Sequence, residues 1–278
     1  MFQRTKLLIA GLGAFAAMPG FADEMTLPAS SAGGVDRQVE QVEDEGSTFS
    51  TNVSLLSNYL YRGISQTGGK PALQGGFDYE HSSGLYVGIW GSNISWLSDL
   101  YTDSGATAGA NNASLEIDTY VGFKHSFADD FTYDVGFLRY NYPGSYVAGS
   151  TKADTNEIYG AVGYKWIEAK YSYSLGDTFA NANTRGTNYL ELNANYPLEA
   201  AGIVLGAHYG KQTYKGTGAV IATGTLTYSD YKLSVTKPFG KGYELTVAYS
   251  STNASPAYTV LNKKLGKGTG VISISRSF

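Results

Sequence analysis

The 278-residue sequence contains no cysteine, which excludes a disulfide scaffold, a thiolate metal site and a cysteine nucleophile. Charge is thin: 16% of residues are charged, and the formal net charge is −4. With a pI of 5.4 and basic residues scattered among loops, nucleic acid is not an expected partner. Past the first two dozen residues no apolar run approaches the eighteen that a membrane-crossing helix needs. No HExxH, Walker or dinucleotide-binding signature occurs, so no cofactor and no metal is expected. The glycines of Gly266-Lys267-Gly268-Thr269-Gly270 precede a strand pattern and not a helix. Absence of a fixed 20–50-residue repeat argues against a solenoid or propeller.

What is abundant is glycine, 35 residues, and tyrosine, 23 residues, a composition of tight turns and aromatic belts. A mean hydropathy of −0.19 suits a soluble protein, and equally a transmembrane barrel in which alternate residues face a polar lumen. Residues 1–22 read as a signal peptide: Arg4 and Lys6, an apolar stretch from Leu7 to Met18, then Gly20-Phe21-Ala22 before the cut. That stretch would rise about 18 Å as a helix, short of a bilayer core of about 30 Å. Residues 23–47 carry Asp23, Glu24, Asp36, Glu40, Glu43, Asp44 and Glu45 against Arg37. With few large apolar residues they are expected to form a disordered periplasmic lead-in. Residues 48–278, neutral overall, form the remaining domain.

From Thr48 the chain reads as strands near 49–60, 72–80, 85–92, 115–127, 131–140, 155–165, 167–176, 187–196, 202–210, 225–237, 243–252 and 270–278. The fourth is the clearest: Leu115, Ile117, Thr119, Val121 and Phe123 alternate with Glu116, Asp118, Tyr120, Gly122 and Lys124. Period two places each set on its own face. Short turns and long loops alternate strictly along the chain, as they do when one rim of an up-and-down barrel carries turns and the other carries loops. The expected fold is an all-β transmembrane antiparallel barrel of about twelve strands. In its terminal strand Ile272, Ile274 and Phe278 share one parity, and Phe278 is the candidate assembly signal.

Several segments carry a resemblance. They are Ser57-Asn58-Tyr59-Leu60-Tyr61-Arg62-Gly63-Ile64-Ser65-Gln66-Thr67, Pro71-Ala72-Leu73-Gln74-Gly75-Gly76, Gly84 to Asn93, Glu116 to Phe123, Tyr142-Pro143-Gly144, Asn156-Glu157-Ile158-Tyr159 and Lys170 to Ser174. The chain resembles the TorF porin family of bacterial outer-membrane β-barrels over roughly residues 48–278. The first motif, with Arg62, Gly63, Ser65 and Gln66, is the specific one. The resemblance implies an outer-membrane location and a pore, and names no solute.

By parity, Asp78, Glu80, Glu116, Asp118, Asp134, Glu157, Glu168, Glu191, Asp230 and Glu244 face the lumen, against Lys124, Lys165, Lys170 and Lys232. Such an acidic bore favours cations. The loop rim, counted with Arg62, Arg139 and Lys263 among its bases, is basic, which suits lipopolysaccharide. Tyr61, Trp96, Trp166, Tyr196, Tyr209 and Tyr214 are assigned to interfacial girdles. A Glu116/Asp118 pair on one wall could hold a divalent cation, with a solvated wall as the plainer reading.

The expected function is a porin-like channel for passive diffusion of small hydrophilic solutes, leaning to cations. Its expected partners are outer-membrane lipid and lipopolysaccharide, the barrel-assembly machinery and small solutes, with an oligomer allowed. The alternative is a closed structural or ligand-binding barrel, shut by the 61–71 or 93–113 loop folding inward. A hydrolase is the third reading, with lumen-facing His208 as its base.

Overall fold

The computed structural model describes residues 46–105, 111–128 and 130–278. The signal-peptide reading, most of the acidic lead-in and Asp129 lie outside the described residues. Twelve strands form one closed antiparallel barrel. They are β1 (Ser47–Leu56), β2 (Ala72–His81), β3 (Leu85–Asn93), β4 (Leu115–Phe127), β5 (Phe131–Asn141) and β6 (Thr155–Tyr164), followed by β7 (Ile167–Ser174), β8 (Asn188–Leu198), β9 (Ile203–Thr213), β10 (Tyr228–Gly240), β11 (Tyr243–Thr252) and β12 (Thr269–Ser277). Each strand pairs with its sequence neighbour, and β1 closes on β12 through the register Asn52↔Ser277 to Leu56↔Ser273. Backbone bonds from Phe278 N to Thr51 O (2.9 Å) and from Ser57 N to Ile272 O (2.9 Å) prolong that seam.

The two-residue rhythm explains the wall. Leu55, Leu73, Val87, Ile158, Leu190, Leu192, Leu233, Val247 and Ile272 are all exposed on the outer face. Their neighbours in sequence, such as Ser54, Gln74, Tyr86, Glu157, Glu191 and Ser273, point into the bore. An apolar exterior around a polar interior is the pattern of a barrel solvated by lipid. Strands of 8 to 13 residues supply the length of a tilted crossing.

At the turn rim the aromatics form a belt. Phe127 stacks on Phe131 (5.5 Å), Phe131 meets Tyr164 (4.6 Å) and Trp166 meets Tyr196 edge-on (5.5 Å). Here Arg276 lies over the rings of Tyr243 (4.8 Å) and Phe278 (4.2 Å). Trp166, Tyr196 and Tyr209 are exposed as a girdle requires. Tyr61, Trp96 and Tyr214 are not girdle residues: Tyr214 is buried, and Tyr61 and Trp96 pack against the aromatic core at the loop end. Proximity to a strand end does not say which way a loop residue turns.

Two further differences matter. The first strand stops at Leu56 instead of running to Leu60, because residues 57–71 leave the wall and enter the bore. The 93–113 connection, whose composition suggests plain loop, contains a helix, α1 (Trp96–Asp103). Its apolar residues Leu97, Leu100 and Tyr101 fall at helical spacing, and Leu97 is fully buried.

Candidate functional site

The site is the bore itself, and the element that shapes it is the 57–71 segment. After Leu56 the chain turns inward and makes a two-residue hairpin, Leu60–Tyr61 against Ile64–Ser65. Asn58 ties its base together, accepting from Ser65 Oγ (2.7 Å) and Thr67 Oγ1 (3.2 Å). At the tip Gly63 has φ +74°, and a Cβ there would stand 2.6 Å from Thr252 Cγ2 and 2.8 Å from Asp230 Cβ. Only glycine fits a left-handed turn pressed so closely against β10 and β11.

Arg62, beside it, reaches the opposite wall. Its Nη2 donates to Glu157 Oε2 (2.9 Å) and its Nη1 to Glu157 Oε1 (3.3 Å) and Gln212 Oε1 (2.7 Å). The guanidinium lies over the rings of Tyr189 (4.3 Å) and Tyr61 (4.8 Å). Arg62 is 3% exposed and Glu157 1%. The segment is therefore a plug spanning the lumen, held by charge-assisted and polar contacts and by the rings of Tyr59 on Trp90 (5.7 Å) and Tyr61 on Tyr140 (5.7 Å). Gln66 Nε2 bonds back to Ile64 O (2.8 Å), while Ser65 faces Asn58, so all four motif-loop residues Arg62, Gly63, Ser65 and Gln66 are buried parts of it. Arg62 accordingly leaves the basic rim and joins the bore.

An outer layer covers the plug. Ser95 N and Trp96 N at the start of α1 both donate to Gln66 O (2.9 and 3.0 Å). The last loop bonds across, from Leu261 N to Asp103 Oδ1 (3.0 Å) and from Lys263 Nζ to Gly68 O (3.3 Å). Under this lid Tyr142, a loop residue, holds its phenol proton well above the usual range, chiefly through burial and then the nearby Glu116 and Asp118 carboxylates. Tyr258 and Tyr214 are likewise shifted up by burial.

Below the plug the acids named from parity all face inward, but few stand alone. Asp134 accepts from Tyr86 Oη (2.6 Å), and Tyr86 also contacts Tyr159. Asp78 accepts from Tyr120. Glu80 pairs with Lys124 (2.7 Å), and Lys170 lies over the Tyr159 ring (4.6 Å). Glu191 accepts from Asn193 (3.0 Å). His208, opposite Lys232 in register, contacts Asn193 Oδ1 (2.6 Å), Asp230 Oδ1 (2.9 Å) and Tyr189 Oη (3.0 Å). Glu244 is buried with Oε2 unpartnered by protein. Lys165 belongs to an exposed turn, where it pairs with Asp130 (3.5 Å), and not to the bore. Exchanging Lys165 for Arg62 leaves the lumen balance at ten acids to four bases.

The tyrosines lie flat because glycines on adjoining strands leave room. A Cβ on Gly88 would strike the Tyr120 ring, one on Gly122 the Tyr86 ring, one on Gly136 the Tyr159 ring and one on Gly210 the Tyr189 ring. Aromatic cover of a glycine on the neighbouring strand keeps the wall thin and aims the Tyr86, Tyr120 and Tyr189 hydroxyls at Asp134, Asp78 and Asp230, while that of Tyr159 meets Tyr86. The network thus rigidifies one side of the bore. The opposite side, on β10, β11 and β12, carries small hydroxyl residues, Thr236, Thr246, Ser250, Ser273 and Ser275. Among the described residues no group of three acids and histidines is arranged to hold a metal ion.

The family model described as "Bacterial protein of unknown function (Gcw_chp)" matches residues 40–278. Among solved structures the NanC porin is 9% identical, with 83% of this chain and 99% of that chain covered and a TM-score of 0.51. The KdgM porin is 10% identical over 84% of this chain and 99% of that one, at a TM-score of 0.47. An outer membrane channel from Pseudomonas putida F1 is 12% identical over 88% and 100%, at 0.46. The NanC likeness shows the fold, an outer-membrane porin type of barrel. No curated protein matches the chain in sequence.

Proposed function

The chain belongs to the Gcw_chp family, and from its plugged, polar bore we propose a gated outer-membrane channel that passes small hydrophilic solutes by diffusion and leans to cations. The observation that carries this reading is the nature of the plug's grip. The plug buries Tyr59, Leu60 and Ile64, yet it reaches the far wall on a charged pair, Arg62–Glu157, whose desolvation offsets much of its attraction. The strand walls remain complete without it, since β1 and β2 pair along their whole length from Ser47↔His81 to Leu56↔Ala72. The TorF resemblance supports the same reading, because its specific motif, Ser57 to Thr67, is the plug hairpin itself.

Cation preference rests on the ten-to-four balance of the bore. In planar bilayers across a potassium chloride gradient, the reversal potential is expected to take the sign of cation selectivity. Anion selectivity would contradict it, and complete silence even after plug removal would favour the closed structural barrel. Catalysis is not part of this reading: the bonds of His208 to Asp230, Asn193 and Tyr189 fix the ring within the wall.

The same proposal includes export and assembly. A signal peptide ending at Ala22 predicts that N-terminal sequencing of protein from the outer-membrane fraction begins at Asp23. Phe278, at the turn rim, is the residue offered to the assembly machinery, and its removal is expected to lower the amount of barrel in that fraction. The exposed bases Lys70, Lys263 and Lys264 of the loop rim suit the phosphates of lipopolysaccharide, to be checked by whether added phosphate-rich lipopolysaccharide raises the melting temperature of the solubilised protein.

A further inference from the structure

Among the described residues four bore acids, Asp78, Glu116, Asp118 and Glu244, have a buried oxygen without a protein hydrogen bond, and two of them, Glu116 and Asp118, stand together under the plug. Glu157 receives hydrogen bonds from Arg62 on both oxygens, from Ser174 Oγ (3.1 Å) and from Tyr140 Oη (3.4 Å). Glu116 and Asp118 are buried as deeply, at 1% and 2% exposure, yet Glu116 Oε2 and Asp118 Oδ1 have no hydrogen-bond partner in the protein. Both project from the same face of β4. Buried acceptors of this kind are rare in folded chains, and each leaves a desolvation cost uncompensated.

Aromatic residues surround this pair. Asp118 stands between Trp90 on β3 and Tyr140 on β5 in register. Tyr59, from the plug, donates to Glu116 Oε1 (3.1 Å) and meets the Trp90 ring edge-on (5.7 Å). Carboxylate oxygens lacking donors, beside aromatic rings, are the surroundings a nitrogen cation needs. The chain supplies its own example nearby. The Arg62 guanidinium rests over Tyr61 and Tyr189 while its N–H groups satisfy Glu157.

We propose that Glu116 and Asp118, with Tyr59, Trp90 and Tyr140, form a binding subsite beneath the plug for a small organic cation bearing N–H donors, an alkylammonium or guanidinium group. The inference rests on the bore being the solute path, and it names the class of solute held there. N–H donors are essential to it, since a quaternary ammonium satisfies no orphan oxygen.

The test uses the full barrel in detergent, titrated with propylammonium, guanidinium, tetramethylammonium and sodium chlorides while the tryptophan emission and the heat of binding are read. Saturable binding of propylammonium and guanidinium is expected, with tetramethylammonium and sodium inert. Asp118→Asn is expected to weaken binding by about tenfold or more, as is Glu116→Gln, a second variant in case the first does not fold. Heat-modified migration on gels confirms that each variant is a closed barrel. Binding that fails to saturate below about 100 mM, that tetramethylammonium shares, or that both folded variants retain at full strength would overturn the subsite. Equilibrium binding in detergent is read apart from conductance, so a barrel that binds without conducting refutes the channel alone, and one that conducts without binding refutes the subsite alone.

Discussion

Replacing Arg62 with alanine is expected to raise the mean current through single barrels several-fold. Arg62 is the residue by which the plug hairpin grips the far wall, through Glu157 and Gln212. Removing one partner of a buried ion pair costs about 3–5 kcal/mol, because the other is left as an uncompensated charge. Glu157 is left in that position only while the plug stays docked. When the plug swings out, water reaches the carboxylate, so the cost falls on the closed form and shifts the equilibrium toward the open one. About 3 kcal/mol corresponds to more than a hundredfold change in that equilibrium. Glu157→Gln should act in the same direction, and the double variant should fall short of the sum of the two, since both act on one contact. Planar-bilayer recording is the measurement. An Arg62→Ala barrel that is folded by gel mobility yet carries wild-type current would show that the plug is not a gate.

The second large effect concerns the outer face. Leu233 and Ser234 are neighbours in β10, Leu233 60% exposed on the outside and Ser234 turned toward the bore. Leu233 lies mid-strand, flanked in register by Ala207 of β9 and Tyr249 of β11. Arginine there would enter the hydrocarbon at a cost of about 2–4 kcal/mol if the belt faces lipid. Leu233→Arg is therefore expected to abolish most assembled barrel in membranes, whereas Ser234→Arg should assemble and reduce cation preference. Opposite outcomes at adjacent positions follow from period two alone. A Leu233→Arg protein that folds as well as the parent, monodisperse without detergent, would remove the membrane from the account.

The wall was legible in the sequence because it obeys one simple rule. Residues alternate for ten or so positions between turns, so both the strands and their inward and outward faces follow from parity, as β4 and β11 show most plainly. The plug was not legible as such. Alternation says nothing of a connection's direction, and the 61–71 segment was one of two loops that could have turned inward. A physical hint was present: Tyr59, Leu60, Tyr61 and Ile64 make the segment too apolar for a loop in water. The same blindness placed Arg62 on the outer rim and Tyr61, Trp96 and Tyr214 in a girdle. Likewise the carboxylates could be counted but not sorted. Nothing in spacing distinguishes Glu157, satisfied on both oxygens, from Asp118, whose Oδ1 lacks a donor, because such partners come from distant strands and from the plug.

The junction of β1 with β12 governs how such a molecule can come into being. Hairpins such as β4–β5 join neighbours through a tight turn and can zip as soon as both arms exist. The closing contact between Ser57 and Ile272 spans 215 positions and has no local shortcut. Large separations make formation slow, since the loop entropy falls due before the contact returns anything. Until that moment both outer strands present bare backbone edges that invite wrong pairing. Substitutions along Asn52–Leu56 or Ser273–Ser277 should therefore delay maturation and raise aggregation far more than they lower the melting temperature of barrels that have already closed.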